Sequence, residues 1–206
     1  MKNYYLLFLL LTITISCSED FNEPAETVSL ENYATNSVQA NAAISLNSIV
    51  SQLVAGYTVA VSGNTPVTLT QKITLLDSVS LQNIAFLQIK PAGYTLISNT
   101  QALRFLQNYE EEYTVLNTSA AVNDYFELII AEEDNLTTIM GWVNTDTVLT
   151  NNEKQLLHFI ISCLDNNPPP GSGDNDWRKK MIVAATLGFN QNAAQAVFNA
   201  SLLIVY

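Results

Sequence analysis

His158, the single histidine of the chain, and the two cysteines, Cys17 and Cys163, bound the chemistry this protein can do. One imidazole excludes a multi-histidine zinc site, and any triad that needs histidine must be built on His158. Its neighbours at four-residue helical spacing are Lys154 and Ser162, with Leu157 and Ile160 on the apolar face, so a structural histidine is expected. Cys163, in LLHFIISCLD, falls on an apolar helix face, where a free thiol packs as a small hydrophobe. Two acidic runs, Glu110-Glu111-Glu112 and Glu132-Glu133-Asp134, supply carboxylates. Consecutive helical residues point about 100° apart, so each run spreads around its helix instead of converging on one reacting atom. Asp174, Asn175 and Asp176 carry oxygen ligands suited to calcium. Arg178 occupies a position where such a loop needs a further oxygen, and Asp176 suits the cap of the following helix. The chain has no Gly-x-Ser-x-Gly elbow, phosphate-cradling glycine loop or Gly-x-Gly-x-x-Gly motif. No catalytic residue, metal site or cofactor is assigned.

Cys17 belongs to a different pattern. After Lys2 the chain runs apolar over the 12 residues Tyr4 to Ile15, short of the roughly 20 that a membrane-crossing helix needs. Residues 1–16 therefore read as a signal peptide. Thr14, Ile15 and Ser16 lead into Cys17, and this resembles the lipobox of bacterial lipoproteins, with Thr14 standing where an aliphatic residue is usual. The resemblance implies that the Cys17 thiol receives a diacylglyceryl group and heads the mature chain. Ser18, Glu19, Asp20 and Phe21 follow it and resemble the surface-export signal of Bacteroidota lipoproteins. That resemblance implies an outer-membrane protein, lipid-anchored and facing the cell exterior. Asp77-Ser78-Val79 and Asp146-Thr147-Val148 are similar to the short O-glycosylation sequon of exported proteins of that phylum. With Cys17 acylated, Cys163 is the only thiol left, and no internal disulfide can form.

Eight Lys and Arg stand against 19 Asp and Glu, a net charge of −11 that becomes −12 when Lys2 leaves with the leader. Nucleic acid and anionic lipid surfaces are poor partners for such a chain. Its expected link to a membrane is the covalent lipid, and its expected partner is a protein.

Several elements must position these residues. Residues 17–35 carry Glu19, Asp20, Glu23, Glu26 and Glu31 without helical or strand period and read as a lipidated, flexible acidic tether. Residues 36–206 read as one mostly α, helical-bundle-like domain. Leu46, Ile49, Val50, Leu53, Val54 and Tyr57 form one amphipathic face, and Ala102, Phe105, Leu106, Tyr109 and Tyr113 another behind a Ser98 or Asn99 cap. Val122, Tyr125, Phe126, Ile129 and Ile130 repeat the spacing, as do Leu136, Ile139, Met140 and Val143. Thr150 and Glu153 make a capping box ahead of Leu156, Leu157, Ile160 and Leu164. Residues 56–75 support two readings: alternation of Val67, Leu69, Ile73 and Leu75 suggests a short β-hairpin, whereas Leu69, Ile73 and Leu76 fit a helix from about Thr70. The chain from Asp176 to Tyr206 reads as two alanine-rich helices separated near Gly188 and Asn190.

One group runs against local physics. Arg178, Lys179 and Lys180 occupy the first turn of a predicted helix beside Trp177, the end whose dipole disfavours cations by a few tenths of a kcal/mol each. They either pair with acidic residues across the domain or, with Trp177, form a contact patch of the kind interfaces favour. The function expected is that of a non-catalytic surface binding or accessory protein, an immunity or inhibitor type included. The alternative is an envelope hydrolase using acidic residues that one sequence does not reveal.

Overall fold

Ser45, Thr68, Asn83, Ser98, Asn135, Thr150 and Asn192 each precede a helix and accept a hydrogen bond from the backbone N–H three residues on. This satisfies one of the donors that a helix start leaves unpaired. The computed structural model describes residues 45–63, 66–131, 135–167 and 175–206. The expected signal peptide, the tether with Cys17, Ser18, Glu19 and Asp20, and the runs 132–134 and 168–174 lie outside the described residues.

The described residues form an all-α fold of ten helices: α1 (Leu46–Val61), α2 (Leu69–Ser80), α3 (Ile84–Ile89), α4 (Asn99–Leu106), α5 (Tyr109–Thr114), α6 (Ala120–Ala131), α7 (Leu136–Thr145), α8 (Asn151–Asn166), α9 (Asn175–Phe189) and α10 (Ala193–Val205). No strand occurs among them. The hairpin reading of residues 56–75 gives way to the ends of α1 and α2 for a local reason. Thr68 and Gln71 form a capping box, with the Gln71 side chain accepting the Thr68 N–H at 3.0 Å. Ile73 and Leu76 then turn inward together, while Val67 is left 87% exposed.

The segment from Ser98 to Tyr113, expected as one helix, is two. The N–H groups of Gln107 and Asn108 both reach the Leu103 carbonyl at 3.0 Å, and Asn108 takes a non-helical conformation before α5 starts. The break turns α5 away from the axis of α4 and lays it against α9.

The core is organised around α10. Ala194 through Leu203 are all buried, and the helix packs against α9 on one side and α1 and α2 on the other. Small residues permit this. A Cβ placed on Gly188 of α9 would lie 2.3 Å from the Ala196 Cα, and one on Gly56 of α1 would lie 2.7 Å from Val79 Cγ1 of α2. Asn199, buried in α10, donates to the Ala184 carbonyl of α9 at 3.1 Å and accepts from Gln195 Nε2 at 2.8 Å. α8 covers α9 from the side of α7 and α6. No helix among the described residues is long and apolar enough to cross a membrane.

Candidate functional site

The basic turn of α9 has structural partners. Lys179 Nζ meets the Glu110 carboxylate of α5 at 3.0 Å, and Lys180 Nζ stands 4.8 Å from the centroid of the Tyr109 ring on the same helix. Arg178 Nη1 donates to the Ile129 carbonyl, in the last turn of α6. Those terminal carbonyls lack helical partners and carry the negative end of the α6 dipole. The cation that disfavours the start of its own helix therefore caps the end of another. Trp177 is half-buried against the core, and its Nε1 is enclosed without a hydrogen-bond acceptor. Trp177 to Lys180 thus fasten α5 and α6 onto α9. Glu110 supplies the ion pair of Lys179; the 132–134 run lies outside the described residues. Asp176 lies inside the first turn of α9, where a carboxylate complements the dipole, and not at the cap expected for it.

Several other chemistry-bearing side chains are also committed to structure. Glu112 takes Arg104 in a bidentate pair with both hydrogen bonds at 2.7 Å, and the guanidinium holds the carboxyl below its ordinary range. Tyr113 donates to Glu127 at 2.7 Å, and Tyr125 to Asp146 at 3.0 Å. Asp146 also accepts the Val148 and Leu149 N–H groups, which with Tyr125 keep it ionised to lower pH than an ordinary aspartate. Cys163 is fully buried, and burial pushes its thiol far above the usual range, so little nucleophilic thiolate is available. His158 has its Nε2 enclosed and unpartnered; burial first, and Lys154 second, hold its pKa below the ordinary value. A shallow groove of about 100 Å³ between α7 and α8 is lined by Leu136, Thr137, Met140, Ile161, Ser162 and Asp165. Asp165 is its one carboxylate, and sites for drug-sized ligands are roughly three times larger or more. Among the described residues no three His, Cys, Asp or Glu side chains cluster as a metal site would require.

Of the two glycosylation-like tripeptides, Asp77-Ser78-Val79 lies within α2, while Thr147 stands exposed in the turn after α7 beside Val148, itself 76% exposed.

A feature that motif reading missed is the distribution of charge. No charged residue occurs from residue 32 to residue 71, a span that includes all of α1, and α3 carries none. Lys72, Asp77 and Lys90, the charges of the α2–α3 region, are each half-buried. Lys72 donates to the Tyr206 carbonyl oxygen at 2.6 Å, and Lys90 Nζ stands 5.4 Å from the Tyr94 ring. Burial raises the Asp77 carboxyl, an effect that Lys90 offsets in part. Exposed carboxylates lie on other elements: Glu111 on α5, Asp124 and Glu127 on α6, Asp165 on α8 and Asp176 on α9. The neutral face exposes aliphatic side chains, Val59 at 73%, Ile84 at 75%, Leu81 at 46% and Leu87 at 45%.

Comparison with protein-family models, with curated proteins and with solved structures finds no match to this chain.

Proposed function

We propose that this chain is a lipid-anchored protein of the outer-membrane surface that works by binding a partner, not by catalysis. The observation that carries the reading is the order Cys17-Ser18-Glu19-Asp20 directly after a short apolar leader. The domain supports it through the commitments of its reactive groups. The thiol of Cys163 packs in the core, the imidazole of His158 is partly enclosed, and Glu110 and Glu112 hold helices together. Thr147, in its exposed turn, is the better placed of the two hydroxyls for a glycan, because Ser78 lies within a helix.

Cys17→Ala tests the anchor. The variant is expected to accumulate as an unprocessed or soluble form that takes up no labelled fatty acid, while the parent protein takes it up. A parent protein that incorporates no lipid ends the reading. Glu19→Ala with Asp20→Ala is expected to leave acylation intact and to abolish protease shaving of whole cells. Unchanged shaving removes the outward orientation.

A further inference from the structure

We propose that the uncharged face of α1 and α3, with Leu81, Ile84 and Leu87 at its apex, rests on the lipid surface to which Cys17 is attached; the inference builds on the anchor reading above. Three observations meet there. The first is electrostatic. The mature chain, of net charge −12 once Lys2 leaves with the leader, is repelled by an anionic surface unless it approaches through elements without carboxylates, and α1 and α3 carry no charged residue. The second is the exposed apolar area itself. Ile84 and Leu87 project from a helix of six residues, and Leu81 caps the preceding one. Interfacial attachment scales with the apolar area such side chains insert among headgroups and acyl chains.

The third is where the chain arrives. The 28 residues 17–44 lead into Ser45, the cap at the start of α1. Asn83 Nδ2 donates to Gln52 Oε1 at 2.9 Å, which brings the start of α3 beside the middle of α1, two turns from where the chain enters it. The apolar apex therefore lies next to the helix through which the anchored segment enters the domain. Those residues span at most on the order of 90 Å when fully extended, so the anchor holds the face at high effective concentration over its own bilayer. A contact too weak to recruit a free protein is populated under that condition.

The proposal is tested on the full acylated chain reconstituted into phosphatidylcholine vesicles. Spin labels are placed through Ile84→Cys, Leu87→Cys and, as a reference on the charged side, Glu111→Cys. All three positions are exposed, so each substitution leaves the core untouched. Cys163 is buried and Cys17 carries the lipid, so each variant takes one label. The expected result is a ratio of oxygen to water-soluble nickel-chelate accessibility several-fold higher at residues 84 and 87 than at residue 111. Because the face carries no charge, added salt should not lower that ratio on the phosphatidylcholine vesicles. Equal ratios at the three sites on a chain whose Cys17 is acylated overturn the docking and leave the anchor standing. Spin–spin broadening at residue 84 that grows with protein density assigns the face to a second copy and also overturns it. A mass showing Cys17 without lipid overturns the anchor reading and the docking together.

Discussion

Gly188 on α9 meets Ala196 on α10 so closely that a Cβ added to the glycine would lie 2.3 Å from the Ala196 Cα and 2.5 Å from its backbone nitrogen. The obstacle is main chain of a helix buried on all sides, which has no room to retreat. A helical Gly→Ala change ordinarily stabilises by about 1 kcal/mol. Here the overlap is expected to reverse that sign and cost about 2–3 kcal/mol, as overpacked cores do. Thermal unfolding of Gly188→Ala should show a Tm lower by about 5–10 °C. A Tm at or above that of the parent protein would show that α9 and α10 separate without penalty.

The same helix pair carries a buried polar chain in which Gln195 donates to Asn199 and Asn199 donates to the Ala184 carbonyl. Removing one member strands its neighbour, at about 1–3 kcal/mol, whereas replacing both by apolar groups of similar shape removes the unmet demand. Asn199→Leu alone is expected to destabilise more than the double change Gln195→Leu, Asn199→Leu. Denaturant melts of the two single variants, the double variant and the parent close the cycle. Additive losses would show that the two side chains do not act as a unit.

Much of this architecture is legible in local sequence. Thr150 and Glu153 announce α8, and the Ser98 and Thr68 starts follow the same pattern with Gln101 and Gln71. At Thr68 the period-two spacing of Val67, Leu69, Ile73 and Leu75 competes with the box, and the box prevails because the α2 face buries Ile73 and Leu76 together. The break at Asn108 is not legible, since Tyr109 and Tyr113 continue the apolar spacing of Phe105. After the break α5 packs on α9 and brings Glu110 to Lys179, 69 residues away. One partner of Arg178 is likewise a backbone carbonyl, that of Ile129, which no side-chain pattern encodes. The neutral stretch from residue 32 to residue 71 is plain in the sequence. Its meaning needs the fold, because only there does Asn83, at the start of α3, meet Gln52 of α1.

Arg178, Lys179 and Lys180 make contacts of different strength, and their variants should rank accordingly. The Lys179–Glu110 pair is partly exposed on both sides and contributes about 0.5 kcal/mol, screened by salt. Lys180 over Tyr109 adds a similar amount. Arg178→Gln is expected to cost most, about 1–2 kcal/mol, because it removes a charged donor from a part-buried carbonyl. In urea melts the Lys179→Gln loss should shrink in high salt, as that of a partly exposed ion pair does. A triple Gln variant as stable as the parent, yet unable to retain a partner that the parent co-purifies, would make Trp177 to Lys180 the working surface.

His158 gives the fold an acid-sensitive point. Its pKa is held below the ordinary value, first by burial and second by Lys154 one turn earlier, and the α7 helix against which α8 packs has no charged side chain to balance an imidazolium. Above the unfolded pKa of about 6.5 the imidazole is neutral in both states and pH has no effect through it. As pH falls through 6.5 the unfolded chain takes up the proton before the folded one does, so stability declines, by at most about 1.4 kcal/mol per pH unit. The decline levels off below the depressed folded pKa. Since the carboxylates Glu112, Asp146 and Glu153 have lowered pKa values, their own losses begin further into acid. His158→Gln should therefore flatten the stability profile just below pH 6.5 and leave the deeper acid limb in place. Parallel profiles for variant and parent over that upper window would show that the imidazole ionises freely in the folded protein.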